Sequence, residues 1–284
     1  MIFFQSPIAI WTTSFLTFYL LLWIFLRKGP IGVVSRFIHT IFLDRILLFH
    51  VVGVLLILLI NKLELMIENQ MEKGFDYTPL ILHFEGTITP FLQQTLNHIN
   101  LTLFTSYFYV IVFSVLLFVS LFVYYEEKEK HLLYILLYAI SLNYLIAIPF
   151  YLFIPVQETW VLHQQVSFLI PEVYPNFEAE YRAFSGLDNS FPSLHTSLSV
   201  TMALIALRSR NRGFKLFTFF SGIVILFSII YLGIHWYSDL VAGIMLASIS
   251  VAASTWLSKY ALGERKLKLL TKNESTTSST RQAS

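Results

Sequence analysis

Cysteine is absent from the 284-residue chain, which excludes a disulfide framework, cysteine-ligated zinc, iron–sulfur clusters and thiol nucleophiles. The redox compartment stays open, because a chain without cysteine fits either side of a membrane. Charge is also scarce: Asp, Glu, Lys and Arg make up 13% of the residues, against about 25% in soluble domains. The formal net charge of +2 carries no signature of nucleic-acid binding. Hydrophobic residues reach 56% and the mean hydropathy is +0.68. The chain therefore reads as an all-α polytopic membrane helix bundle.

A bilayer core takes about 20 apolar residues of helix. Runs of that length bounded by charges predict about seven spans, at 7–26, 46–66, 102–125, 132–154, 191–207, 216–235 and 238–257. The first lacks the basic start and small-residue cleavage site of a signal peptide and is followed by Arg27 and Lys28, so it reads as a retained helix. The second is the weakest. Asn61, Lys62 and Glu64 sit in its last turns and must either snorkel outward or face protein. Between the two, Ile31, Val34, Phe37, Ile38, Ile41 and Phe42 recur at helical spacing with charges among them, predicting an interfacial amphipathic helix over 31–45.

Segments 27–45, 126–131 and 208–215 and the tail after 258 hold sixteen of the nineteen Lys and Arg residues. The other segments hold only Lys62, Lys73 and Arg182. The two sets alternate along seven spans, so the positive-inside rule predicts an outside N-terminus and a cytoplasmic C-terminus. The organisation expected is N-terminal spans with an interfacial helix (1–66), a membrane domain (67–257) and a Ser/Thr-rich disordered cytoplasmic tail (258–284).

Of the eight histidines, His39, His50, His83, His98, His131 and His163 stand singly, without an acidic or histidine partner at ligand spacing, and read as structural or solvated. His195 and His235 differ in their neighbours. In Asn189-Ser190-Phe191-Pro192-Ser193-Leu194-His195-Thr196, Asn189 or Ser190 can cap the fifth span, with Pro192 in its first turn. The free N–H groups around Ser193 and the positive helix end then offer a phosphate site, unless the segment is an ordinary capped helix with a surface histidine. In the second neighbourhood, His235 precedes Asp239 by four residues. A carboxylate on one imidazole nitrogen frees the other as base, ligand or nucleophile; the bland alternative is a polar pair satisfying itself at the interface.

Pro192-Ser193-x-His195 at the start of one span, with His235-x3-Asp239 about forty residues later, resembles the type 2 phosphatidic acid phosphatase superfamily. The form Phe-Pro-Ser-Leu-His-Thr is most similar to the branch of inositol-phosphorylceramide synthases and related inositolphosphotransferases. Phe84-Glu85-Gly86 through Asn97, the Tyr107-Phe108-Tyr109 region and Phe150 to Pro155 also fit that branch, so the resemblance runs from about 85 to 257. It implies a six-helix core, here with one more helix at the N-terminus, and phosphoryl transfer without metal or cofactor. His235 is then the nucleophile that becomes a phosphohistidine, and Asp239 orients it. His195 protonates the leaving alkoxide and later deprotonates water or an acceptor hydroxyl. Ser193 and the backbone N–H groups beside it, Leu194 included, hold the phosphate oxygens.

The chain departs from the wider superfamily in its cations. Gln157 and Glu158 stand in the region of the Lys-x6-Arg-Pro motif, and Ser228-Ile229 stands where Ser-Arg is usual. Arg182, with Gln157, is the candidate substitute clamp; the alternative for Arg182 is a solvated partner of Glu178 or Glu180. The function expected is a membrane lipid phosphatase or phosphotransferase with its site at the outer leaflet, acting on a lipid phosphate with water or a lipid hydroxyl as acceptor. The rival is a non-enzymatic lipid-binding or scaffold protein with a degenerate site.

Overall fold

The computed structural model describes residues 6–68, 70–71, 74–181 and 186–261. Arg182, Lys73 and the tail from 262 therefore lie outside the described residues. Helix α1 (Pro7–Leu26) starts on Ser6, whose hydroxyl accepts the Ala9 N–H at 3.3 Å, with Pro7 in the first turn where its missing N–H costs nothing. The interfacial helix of the sequence is α2 (Pro30–Leu43), which buries Val33 and Phe37 and is tied down by Arg36 on Glu126 and Thr40 on Tyr125. There follow α3 (Arg45–Glu68), two short helices α4 (Thr78–Glu85) and α5 (Ile88–Leu96), and α6, continuous over Ile99–Glu126 with one π turn at Phe108–Val112. The bundle is completed by α7 (Lys130–Phe153), α8 (Leu194–Ala206), α9 (Arg212–Tyr231) and α10 (Tyr237–Ala261).

Six of these helices, α1, α3, α6, α7, α9 and α10, are long and apolar enough to cross a membrane. The fifth span expected from the sequence is the shorter α8, whose thirteen residues rise only about 20 Å. Its start is set by Ser193, which accepts the Thr196 N–H at 3.3 Å, and not by Asn189 or Ser190. Pro192 consequently precedes the cap instead of sitting in the first turn.

Burial grades across the bundle. The most apolar stretch of α6 is 67% buried, that of α3 only 6%. α8 packs among α7, α9 and α10 and is the central element; the Asn143 side chain of α7 reaches Thr201 of α8 at 3.1 Å. α3 presents nearly its whole apolar surface outward and buries just Leu47, Glu64 and Glu68, the polarity a lipid solvent selects.

The basic segments meet at one end. Lys28 and Arg36 both pair with Glu126 at 2.7 Å, Arg208 reaches Thr255, and Asn211 caps α9 while donating to the Phe25 carbonyl. The two motif histidines lie toward the other end, at the start of α8 and in the turn between α9 and α10.

Candidate active site

Chain segments far apart in sequence pin the α9–α10 turn in place. Gly233 adopts φ +82°, and a Cβ there would come within 2.6 Å of the Ser167 carbonyl, so glycine is required by conformation and by space. Gln93 of α5 clamps the same region, donating to the carbonyls of Ser167 and Tyr231 and accepting from the Ser167 N–H. The Thr159 and Trp160 N–H groups donate to the carbonyls of Ile234 and Gly233. The carboxylate of Glu85 accepts the Ser238 N–H at the positive end of α10.

His235 sits in this turn, one residue before the cap of α10, and is not helical as its spacing to Asp239 alone allows. Trp236 is the cap and Asp239 the third helical residue, which reaches back to accept the Trp236 N–H at 2.9 Å, the returning half of a capping box. The same oxygen, Oδ2, lies 3.1 Å from His235 Nδ1 and 2.5 Å from Ser190 Oγ, and Ser190 Oγ is 2.9 Å from Nδ1. Asp239 is fully buried, Ser190 is 1% exposed and His235 5%. With Nδ1 held by this network, Nε2 is the nitrogen left without a partner.

Ser190 is the residue that sequence reasoning missed. It was considered only as a helix cap, and no local pattern separates that role from the observed one, because its two bonds span 45 and 49 residues. The position is held by the pairing of segment 187–190 with 156–158: Val156 and Glu158 donate to the carbonyls of Asp188 and Leu187, and the Ser190 N–H donates to Val156.

The turn that starts α8 is the one expected from the sequence to bind phosphate. The Ser193 N–H is not free: it donates to the Asp239 carbonyl at 3.2 Å, locking the start of α8 to the first turn of α10. The N–H groups of Leu194 and His195 remain as first-turn donors without intrahelical acceptors, while the Ser193 hydroxyl accepts from Thr196 and keeps its own proton to give. Tyr151 of α7 donates to the Pro192 carbonyl at 3.1 Å and braces the turn. The His195 ring stacks on Tyr109 with centroids 4.2 Å apart, touches Phe113 at 4.5 Å, and lies 6.4 Å from the His235 ring.

A cavity of about 420 Å³ opens beside both imidazoles, and His195, His235 and Leu194 line it. No Lys or Arg is among its described lining residues. Gln157 does not reach it: the side chain donates to Asp76 at 2.9 Å, its N–H to Thr78, and its carbonyl accepts the Trp236 indole N–H. Of the remaining histidines, His50 meets the Tyr138 hydroxyl and His163 the Gly86 carbonyl.

One glycine makes the locking of α8 to α10 possible. A Cβ on Gly243 would fall 2.7 Å from Thr196 Cβ and 2.8 Å from the Ser193 carbonyl, whereas a Cβ on Gly222 would meet nothing nearer than 3.7 Å. Gly243→Ala must push the start of α8 away from α10, at a typical overpacking cost of about 1–3 kcal/mol. We expect at least a ~10-fold loss of phosphoryl turnover in Gly243→Ala and near-normal turnover in Gly222→Ala, assayed side by side on membranes with matched protein levels. Equal activity of the two variants would discard this role for the α8–α10 contact.

No curated protein and no solved structure matches the chain significantly. A family model described as the PAP2 superfamily does match, over residues 80–253, a stretch that carries α4 to α10 and every buried group of the His235 network; with more than half of the chain covered, the protein belongs to the PAP2 superfamily.

Proposed function

We propose that this integral-membrane protein is a lipid phosphatase or phosphotransferase that works through a phosphohistidine on His235 and needs no metal. The observation that carries this reading is the buried Ser190–Asp239–His235 network, which orients one imidazole with Nε2 unpartnered beside a cavity that a second imidazole, His195, also lines. Nε2 attacks phosphorus and Asp239 stabilises the positive charge the ring acquires. His195 protonates the departing alkoxide and then takes a proton from water or a lipid hydroxyl. The N–H groups of Leu194 and His195 and the Ser193 hydroxyl hold the phosphate oxygens at the positive helix end. Phe-Pro-Ser-Leu-His-Thr, with leucine between serine and histidine, is the form of the inositolphosphotransferase-like branch of the superfamily, which favours transfer of a phospho-head group without fixing which head group it is. Arg182 adjoins Tyr181, a lining residue of the cavity, and is kept as the candidate clamp on that sequence position; Gln157 is not, since Asp76 holds its amide.

The test is product analysis of purified protein with a panel of lipid phosphates and phosphodiesters, with vanadate as competitor. Release or transfer of a phosphate group inhibited by vanadate is expected; no turnover of any member, with lipid still bound, would leave the scaffold reading instead.

We place the site on the extracytoplasmic face, because the basic segments gather at the end of the bundle remote from the two histidines and the positive-inside rule holds that end in the cytoplasm. The natural absence of cysteine makes the check clean. In intact cells an impermeant maleimide should label Asn176→Cys and spare Arg210→Cys. The reverse pattern would invert the topology.

A further inference from the structure

Besides the two histidines, the cavity wall carries a set of buried polar side chains. Glu64 is 3% exposed in an apolar span whose other buried residues are Leu47 and Glu68, and an ionisable group at membrane depth needs a reason. It lines the cavity, as do Asn61, its neighbour one turn back on α3, and Asn189, next in sequence to the Ser190 that supports His235. Each presents a buried oxygen without a hydrogen-bond partner: Asn61 Oδ1, Glu64 Oε1 and Asn189 Oδ1. Asn189 is oriented by its amide nitrogen, which donates to Glu68 at 2.8 Å and so turns the acceptor oxygen away from that bond. The two other carboxylates on the wall are engaged, Glu158 by the Trp160 indole and Glu180 by the Tyr174 hydroxyl.

Three buried acceptors with no donor are costly unless a ligand supplies the donors. The described lining residues add no Lys or Arg, and they include aromatic rings, Tyr109, Tyr151 and Phe177 among them. A primary ammonium meets both features. It carries three N–H donors and no acceptor, its charge complements Glu64, and aromatic faces attract it. A bare lipid phosphate dianion, by contrast, would bring like charge to this wall.

We propose that Asn61, Glu64 and Asn189 form a head-group subsite for a primary ammonium, so that the substrate is a zwitterionic phospholipid whose phosphate carries an aminoalkyl ester. The inference rests on the phosphohistidine reading for its chemistry but not for its binding. Nε2 of His235 forms a bond to phosphorus as the bond from phosphorus to the lipid alcohol breaks. His195 delivers the proton to that alcohol, which departs into the bilayer. The aminoalkyl phosphate stays on His235, anchored by its ammonium, until water or a second hydroxyl attacks phosphorus, passes its proton to His195 and displaces the imidazole. Asn61 and Glu64 lie outside the stretch matched by the superfamily, so this specificity comes from α3 of this chain.

The experiment is calorimetric binding of short-chain phosphatidylethanolamine, phosphatidylglycerol and phosphatidylcholine with identical acyl chains to purified His235→Gln protein, in which turnover does not interfere. The ethanolamine lipid should bind about tenfold or more tightly than the glycerol lipid, since it alone offers a charged donor, and more tightly than the choline lipid, which has no N–H. Glu64→Gln added to His235→Gln should remove the preference, and Glu64→Asp should keep part of it. Equal binding of the three lipids, tighter binding of the choline lipid, or a preference that survives Glu64→Gln each overturns the subsite. Turnover of the same lipids by the unmodified protein is read separately: a binding preference without turnover leaves the subsite standing and removes only the enzymatic reading.

Discussion

His235→Gln is expected to abolish phosphoryl turnover, by ~10⁴-fold or more, while the protein still folds and binds lipid. Glutamine retains a polar side chain that the turn tolerates but has no lone-pair nitrogen basic enough to attack phosphorus. The network behind the ring predicts a graded series. Asp239→Asn keeps the shape but loses the charge that fixes the tautomer and balances the phosphohistidine, so a loss of about 10²–10⁴ should follow. Ser190→Ala removes one hydrogen bond on each partner and leaves the Asp239 contact intact; about tenfold is expected. Turnover under rapid-quench conditions, together with recovery of an acid-labile phosphoprotein in the parent and not in His235→Gln, is the measurement. Near-normal turnover in His235→Gln would remove the covalent mechanism.

His195→Ala should show an effect that depends on what leaves. An alkoxide is a poor leaving group and needs a proton as the bond to phosphorus breaks, and a positioned general acid contributes about 10²–10⁴-fold. An aryl phosphate departs with little help. The variant should therefore lose ~10²-fold or more on an alkyl ester and no more than about tenfold on an aryl ester. A structural role for His195, stacked on Tyr109 and beside Phe113, would depress both substrates equally, and equal losses would reassign it to packing. His195→Gln extends the test, since it restores polarity without a titratable nitrogen.

Much of the molecule is legible in the sequence. The apolar runs marked the six long helices within a few residues of their ends, because the charges that bound them are local signals. The grouping of basic residues at one end followed from alternation along the chain. His235 and Asp239 were legible as a pair since four residues separate them. The fifth span was read too long: hydropathy continues through Phe191 and Pro192, but Pro192 has no N–H and Ser193 takes the capping bond, so the helix starts at Leu194. The sequence places Gln157 in the motif region, and its bond to Asp76 shows that its side chain faces elsewhere.

Composition and pattern by themselves determined that this is a polytopic helical membrane protein with two histidines set apart from the other six. Both follow from short-range physics: the length of apolar helix a bilayer requires and the reach of a side chain over one turn. Tertiary structure alone decided what surrounds those histidines. Ser190 reaches His235 and Asp239 because segment 187–190 pairs with 156–158. The Ser193 N–H is consumed by α10 because Gly243 lets the helices close. Glu64 turns inward with its acceptor unpaired while the rest of the apolar α3 faces outward from the bundle. The first two are contacts between residues dozens apart in the chain and the third depends on which face of α3 the bundle covers; direction and distance there depend on packing, and no periodicity encodes them.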